Sequence, residues 1–208
     1  MTETMKPYNP LEKKSLANSI VARLLTQPPQ VLDAAPFSGA GIYVIYYTGN
    51  FPLYEPISSA NKSELRHPIY VGQAIPKGSS RGAGGLDTVH GKELSKRLAE
   101  HAKSISETHL KLDDFRCRSL AVDEVFISLG ETMLISHYQP VWNVVTVGFG
   151  NHPPGGGRKD ALRPYWDILH PGRAWAAKLR ASKSRHELEG MVRNHFAQFP
   201  IPVPPLQF

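Results

Sequence analysis

The chain has 208 residues, with 24 Lys plus Arg against 18 Asp plus Glu and a net charge of +6. That length suits one domain with elaborations, and 41% hydrophobic against 20% charged residues supplies enough apolar matter for a packed core, which argues against wholesale disorder. The modest positive excess permits a polyanionic partner without demanding one, and a single cysteine, Cys117, excludes an internal disulfide and a Cys-rich zinc site.

The opening "MTETMKPYNPLEKK" is polar and Pro-containing and does not read as a signal peptide. No apolar run approaches the roughly 20 residues of a membrane helix. The expectation is a soluble protein of a reducing compartment, most simply the cytoplasm, with no membrane partner. Residues 11–27 place Leu16, Ile20, Val21, Leu24 and Leu25 on one helical face, and "QPPQ" ends the helix. "GIYVIYYTG", 41–49, opens with an unbroken apolar run, which suits a strand covered on both faces. An insert rich in Pro, Ser and Asn, 49–68, leads to "PIYVGQA", a second strand whose simplest partner is the first.

"KGSSRGAGGLDTVHG", 77–91, lacks the Gly-Lys-Ser/Thr of a phosphate-binding loop and reads as a flexible basic loop. "KELSKRLAEHAKSIS", 92–106, is a helix with Leu94, Leu98 and Ile105 as its stripe. Arg97 and His101, four apart, share a face adjoining that stripe. "FRCRSLAV", 115–122, alternates as a strand. "SLGETMLISHYQP", 128–140, predicts a short helix stopped by Pro140, with Leu134, Ile135 and Tyr138 facing the core. Glu131 then falls in the first turn, where the helix dipole favours a carboxylate. Glu124 is a rival acid, but it lies in a strand-like stretch further from "PVWN". "GFGNHPPGGGR", 148–158, is a Gly/Pro loop carrying Asn151, His152 and Arg158, and 166–185 runs through a turn into a basic helix. No internal repeat or hinge-like linker separates this tail from the rest.

Two tyrosines among strand aliphatics, Tyr43 and Tyr70, raise a question, because a buried phenol without a partner costs a kilocalorie or more. Other polar residues expected near the core are Arg97, His101, Glu131 and the Asn143 of "PVWN". In order along the chain, "GIY", "YVG", a helix with an arginine, a helix-borne glutamate and "P-x-x-N", this set resembles the GIY-YIG nuclease superfamily over about residues 40–145. The two tripeptides alone are common in β-rich proteins; all six positions in order are far more specific. Each residue also has a plain reading: core tyrosines, a solvated basic helix face, a first-turn acid. The common order of the six weighs against all of these together.

The resemblance implies an α/β (α+β) fold, a small mixed or antiparallel sheet flanked by helices, within one endonuclease domain over 1–208. An N-terminal helical extension, 1–36, precedes the catalytic core, and a C-terminal DNA-contacting elaboration, 146–208, follows it. It implies that the two tyrosines face a groove and meet the attacking water and the scissile phosphate. Phosphodiester hydrolysis needs a deprotonated nucleophile, a positive clamp and help for the leaving oxygen. Glu131 would hold one Mg2+, with Mn2+ expected to substitute, and Arg97 offers a planar fork for phosphate. A free phenol has a pKa of about 10, so Tyr43 as base near neutral pH needs about 4 kcal/mol of help. His101 is placed to supply it, and either residue can be the true base. Tyr70 would bind phosphate or water, and Asn143 would fix local structure. A zinc site among His101, His152 and His170 has no supporting spacing.

One cysteine cannot build the zinc module of some superfamily members, and no linker leads to a separate DNA-binding region as in homing enzymes. "GFGNHPPGGGR", "WDILHPGRAWA", the insert after "GIYVIYYTG" and "PIYVGQAIP" are similar to segments of GIY-YIG type II restriction enzymes that cut CCGCGG. That resemblance implies double-stranded DNA as substrate, a cognate methyltransferase as genetic partner and, for a palindromic site, a twofold dimer. A G·C site is read by arginine or lysine on guanine. The candidates are Arg81, Arg116, Arg118, Arg158 and Arg173, with Arg158 and Arg173 ranked first and Asn151 and His152 beside them. The other readings are a structure-specific repair or mobile-element nuclease, and a catalytically silent DNA-binding protein.

Overall fold

The computed structural model describes residues 11–76, 91–155 and 161–201. The loop expected at 77–91 falls outside them except for Gly91. Among the described residues one antiparallel sheet forms, from β1 (Gly41–Tyr47), β2 (Pro68–Ala74) and β3 (Phe115–Ala121), in the order β2-β1-β3. β1 is central and all seven of its residues are buried, as its β-branched and aromatic composition predicts.

The two faces of β1 are covered by different elements. Ile42, Val44 and Tyr46 pack with Val21 and Leu24 of α1 (Lys13–Leu25) and with Ile127 and Leu134 of α4 (Glu124–Tyr138). Tyr43, Ile45 and Tyr47 pack with Leu94, Leu98 and Ile105 of α3 (Glu93–Ser106) and with the C-terminal third of the chain. Register sets the site. Tyr43 stands opposite Gly72, and Ile45 opposite Tyr70. With a side-chain period of two, Tyr43 and Tyr70 are therefore diagonal neighbours on one face.

β2 is an edge, and its outward backbone groups need partners. Asn143, on the one-turn helix α5 (Val141–Val144), supplies both: Val71 N donates to Asn143 Oδ1 at 2.8 Å, and Asn143 Nδ2 donates to Val71 O at 2.8 Å. The side-chain amide stands in for a fourth strand, the structural part expected of Asn143.

Three expectations change. The 49–68 insert contains a short helix, α2 (Glu55–Ala60), and buries Tyr54 and Ile57 in the core. α4 begins at Glu124, so Glu124 is helical rather than strand-like, and Glu131 lies two turns in, out of reach of the dipole of the first turn. The 166–185 stretch forms two short helices, α6 (Tyr165–Leu169) and α7 (Ala174–Ala177), and the long helix α8 (Arg185–Gln198) only starts where that stretch ends. Ser184 and Glu187 form a capping box on α8, with Glu187 N donating to Ser184 Oγ and Ser184 N donating to Glu187 Oε2.

Below the face that carries the tyrosines lies an aromatic floor. Trp142 and Trp166 meet edge to face at 5.6 Å, and both touch Phe149, at 4.5 and 4.9 Å. Such pairs add about 0.5–1.5 kcal/mol each beyond burial, and they anchor Phe149 next to the site.

Candidate active site

β1, β2, α3 and α4 bring five of the six expected residues into one place. Tyr43 is wholly buried, and its hydroxyl lies 2.6 Å from Nε2 of His101. This is the partner its position required. Gly72 makes room for the contact: a Cβ there would collide with the Tyr43 hydroxyl and the Tyr70 ring. Tyr70, half-buried, has its ring 6.3 Å from that of Tyr43 and 5.3 Å from that of His101.

His101 is 1% exposed, because it sits within the apolar stripe of α3 between Leu98 and Ile105 rather than beside it. Its ring stacks on Phe149 at 4.4 Å and 16°. Burial, then the charges of Arg97, Arg173 and His152, hold its pKa well below the usual imidazole value. It is neutral at neutral pH and free to take a proton. Burial, then Tyr70, pushes the Tyr43 phenol well above its usual value, so Tyr43 keeps its proton unless His101 receives it. Tyr70 is raised too, by burial first, against the lowering effect of Arg97.

Arg97 is half-buried on the flank of α3. Its Nη2 donates to Gly150 O at 2.6 Å, and its Nη1 lies 3.1 Å from Glu100 Oε2 and 2.9 Å from His152 Nε2. It also meets the hydroxyls of Tyr43 and Tyr70, lowering both phenols against the effect of their burial. Glu131 is carried by α4, which packs on β1 and β2. It is near enough to raise the pKa of both tyrosines. Its own pKa is raised by burial, and no counter-charge appears among its causes. Among the described residues its carboxylate makes no hydrogen bond or ion pair, and no three acidic, His or Cys side chains gather as a metal cluster. A half-buried carboxylate with no counter-charge among the described residues offers oxygen donors to a hard cation. That fits Mg2+, which binds through one or two carboxylates and keeps several waters.

The expected DNA contacts fare unevenly. Asn151 and His152 are exposed beside a groove of about 220 Å³ that Arg97, Lys103 and Trp175 also line. Arg158 and Arg81 lie outside the described residues. Arg118 is internal: it donates to Gln27 O, Leu65 O and the Tyr46 hydroxyl. Arg116 donates to Asp113 O and Phe115 O. Arg173 requires a correction. It is 3% exposed and ion-paired to Asp167, and its remaining donors go to backbone carbonyls. With no donor left and no surface, it cannot read a base. The sequence displayed only its charge in a loop.

A three-stranded antiparallel sheet whose "GIY" and "YVG" tyrosines converge with a helix-borne arginine and histidine and an incoming glutamate defines the GIY-YIG class of nuclease. The model described as the Eco29kI GIY-YIG domain matches residues 35–198, and the chain belongs to that family, a family of restriction endonucleases. A search of curated proteins finds no match. The chain is thus a GIY-YIG restriction-type endonuclease acting on DNA.

Proposed function

We propose that this chain is a Mg2+-dependent type II restriction endonuclease that cuts both strands of a short G/C-rich palindrome, CCGCGG, as a homodimer paired genetically with a methyltransferase. Family membership supports the class. The observation that carries the chemistry is the buried Tyr43–His101 contact at 2.6 Å, opening toward Arg97 and Glu131.

The residues act in order. A water proton passes to Tyr43 Oη as the Tyr43 proton passes to His101 Nε2, whose neutrality makes it the final acceptor. The hydroxide so formed attacks phosphorus, and the bond to the leaving oxygen breaks. Arg97, beside both phenols, donates N–H groups to the charge growing on the phosphoryl oxygens. Tyr70 orients the phosphate from the rim. Glu131 would hold the Mg2+ ion, which would supply positive charge against the charge developing at the phosphate. A palindrome calls for two subunits about a twofold axis, each cutting one strand.

The test is digestion of a sequenced plasmid with purified protein and Mg2+, beside Glu131→Ala and an EDTA control, with sequencing of the ends. Discrete fragments ending at CCGCGG, absent in both controls, are expected. Fragments at another motif would keep the chemistry and discard the specificity. Binding without metal-dependent cleavage would overturn the reading.

A further inference from the structure

The loop Gly148–His152 touches both His101 and Arg97, yet little within it fixes its shape. It has one turn, Asn151 N to Gly148 O at 3.0 Å, and Gly148 sits at φ +105°, where a side chain is rarely found. The loop is held from outside. Arg173, which precedes α7, donates Nη1 to Phe149 O at 2.9 Å and to Asn151 O at 3.1 Å, and Nη2 to Gly148 O at 3.0 Å. Its Nε and its other Nη2 hydrogen go to the Asp167 carboxylate, at 2.6 and 2.5 Å. All five donors are committed. The guanidinium also lies 4.8 Å from the rings of both Trp166 and Trp175.

We propose that Arg173, oriented by Asp167, is a positioning residue for catalysis: by fixing three carbonyls of the 148–152 loop it sets Phe149 against His101 and Gly150 and His152 against Arg97. The inference rests on the reading of His101 and Arg97 as catalytic. The chain of contacts is continuous. Arg173 holds Phe149 O, the Phe149 ring covers His101, and His101 meets the Tyr43 hydroxyl. A second branch runs from the same carbonyls to Gly150 O, which takes a donor of Arg97. A lysine keeps the charge at position 173 but has three donors on one atom and no planar fork. It cannot hold three carbonyls and a bidentate carboxylate at once.

Loosening the loop has a consequence that simple destabilisation lacks. His101 is kept neutral by burial under Phe149, among Tyr43, Tyr70, Arg97, Arg173 and His152, in a groove that Glu100, Lys103 and Glu107 also line. Water admitted beside its ring raises its pKa toward the ordinary imidazole value of about 6.5. A displaced general base also lowers kcat, by about 10²-fold for an ångström of misplacement.

The experiment uses full-length wild type, Arg173→Lys and the milder Asp167→Asn, with His101→Gln to assign the His101 ring signal by NMR. The ring titration is followed from pH 4.5 to 8, and kcat and KM for plasmid cleavage are measured over the same range. In both variants the His101 pKa is expected to rise, kcat to fall about 10²-fold at pH 6 with KM changed less than threefold, and the acid limb of kcat to move up with the ring titration. The folded fraction of each variant is followed by circular dichroism at every pH and kcat is taken per folded enzyme, so partial instability does not mimic the result. An unchanged His101 titration together with a pH-independent loss of activity, or wild-type kcat in either variant, would overturn the inference. If wild type does not cleave, or His101→Gln cleaves as wild type does, the nuclease reading of the site fails instead, whatever the ring titration shows.

Discussion

The β2 edge offers a sharp quantitative test. Asn143→Ala removes both partners of the Val71 backbone, the acceptor for its N–H and the donor for its C=O, each at 2.8 Å. Val71 is 0% exposed, so water cannot readily replace the amide. Each orphaned group costs about 1–3 kcal/mol. Some relaxation of an edge strand recovers part of that, which leaves a loss of about 3 kcal/mol. For a chain of this size each kilocalorie moves Tm by about 2–4 °C, so the melting temperature is expected to fall by about 6–12 °C. Asn143→Asp sharpens the test. Its carboxylate still accepts from Val71 N–H but faces Val71 O without a proton to give. It is expected to be as unstable as the alanine variant at pH 7 and to recover toward wild type as the carboxyl protonates at lower pH. Melts by circular dichroism at pH 7 and pH 4.5 measure both. A Tm loss below about 2 °C for the alanine variant, or an aspartate variant as stable as wild type at pH 7, would refute the account of Asn143 as a surrogate strand.

The other predictions are briefer. Gly72→Ala drives a methyl into the Tyr43 hydroxyl and Tyr70 ring; overpacking costs about 1–3 kcal/mol and displacement of the hydroxyl lowers kcat by about 10²-fold, while unaltered cleavage would show that Tyr43 is not held there. Acid should destabilise the protein early. The buried His101 and His170 have folded pKa values well below those of the unfolded chain, so the unfolded state binds more protons and stability falls as pH drops below about 6.5, by up to about 1.4 kcal/mol per pH unit per histidine. Glu131 and Asp167, raised by burial, act in the opposite sense only nearer the carboxylate range, and urea melts between pH 5 and 7.5 that show no loss would contradict this. The Cys117 thiol, buried and pushed up to about 12 by burial, should resist iodoacetamide in the native protein and react only on unfolding; rapid native labelling would mean that β3 opens. Ser184→Ala removes the α8 capping box and is expected to cost about 1 kcal/mol in a urea melt, with cleavage unaffected.

Local pattern carried much of the site. A run of Ile, Val and Tyr with no polar break reads as a doubly covered strand because burial on both faces leaves no room for alternation, and every residue of β1 is buried. The α3 stripe was legible from its spacing, and two tyrosines in strands demanded partners that Arg97 and His101, one turn apart, could supply. Asp123 stands immediately before the first turn of α4, and Ser184-x-x-Glu187 announces α8; both are local signals that apolar periodicity does not contain. The choice of Glu131 as the metal-holding acid rests on order in the chain rather than on position in a helix, and the longer α4 removes the dipole argument for it.

What the amino-acid order by itself determined is the set of reactive side chains and the elements that carry them, because periodicity and residue chemistry are properties of neighbours a few positions apart. Only the tertiary structure decided which charges are spent inside. Arg158 and Arg173 look alike as basic residues in Gly/Pro-rich loops, but Arg173 is closed in by an aspartate six residues before it and by carbonyls 22 to 25 residues before it. The pairing of Tyr43 with His101 spans 58 positions, and that of Arg97 with His152 spans 55. Burial and hydrogen-bond satisfaction are set by what arrives from distant parts of the chain, so the acidity of His101 and the occupation of Arg173 became readable only once the sheet, α3 and the C-terminal loop had closed on one another.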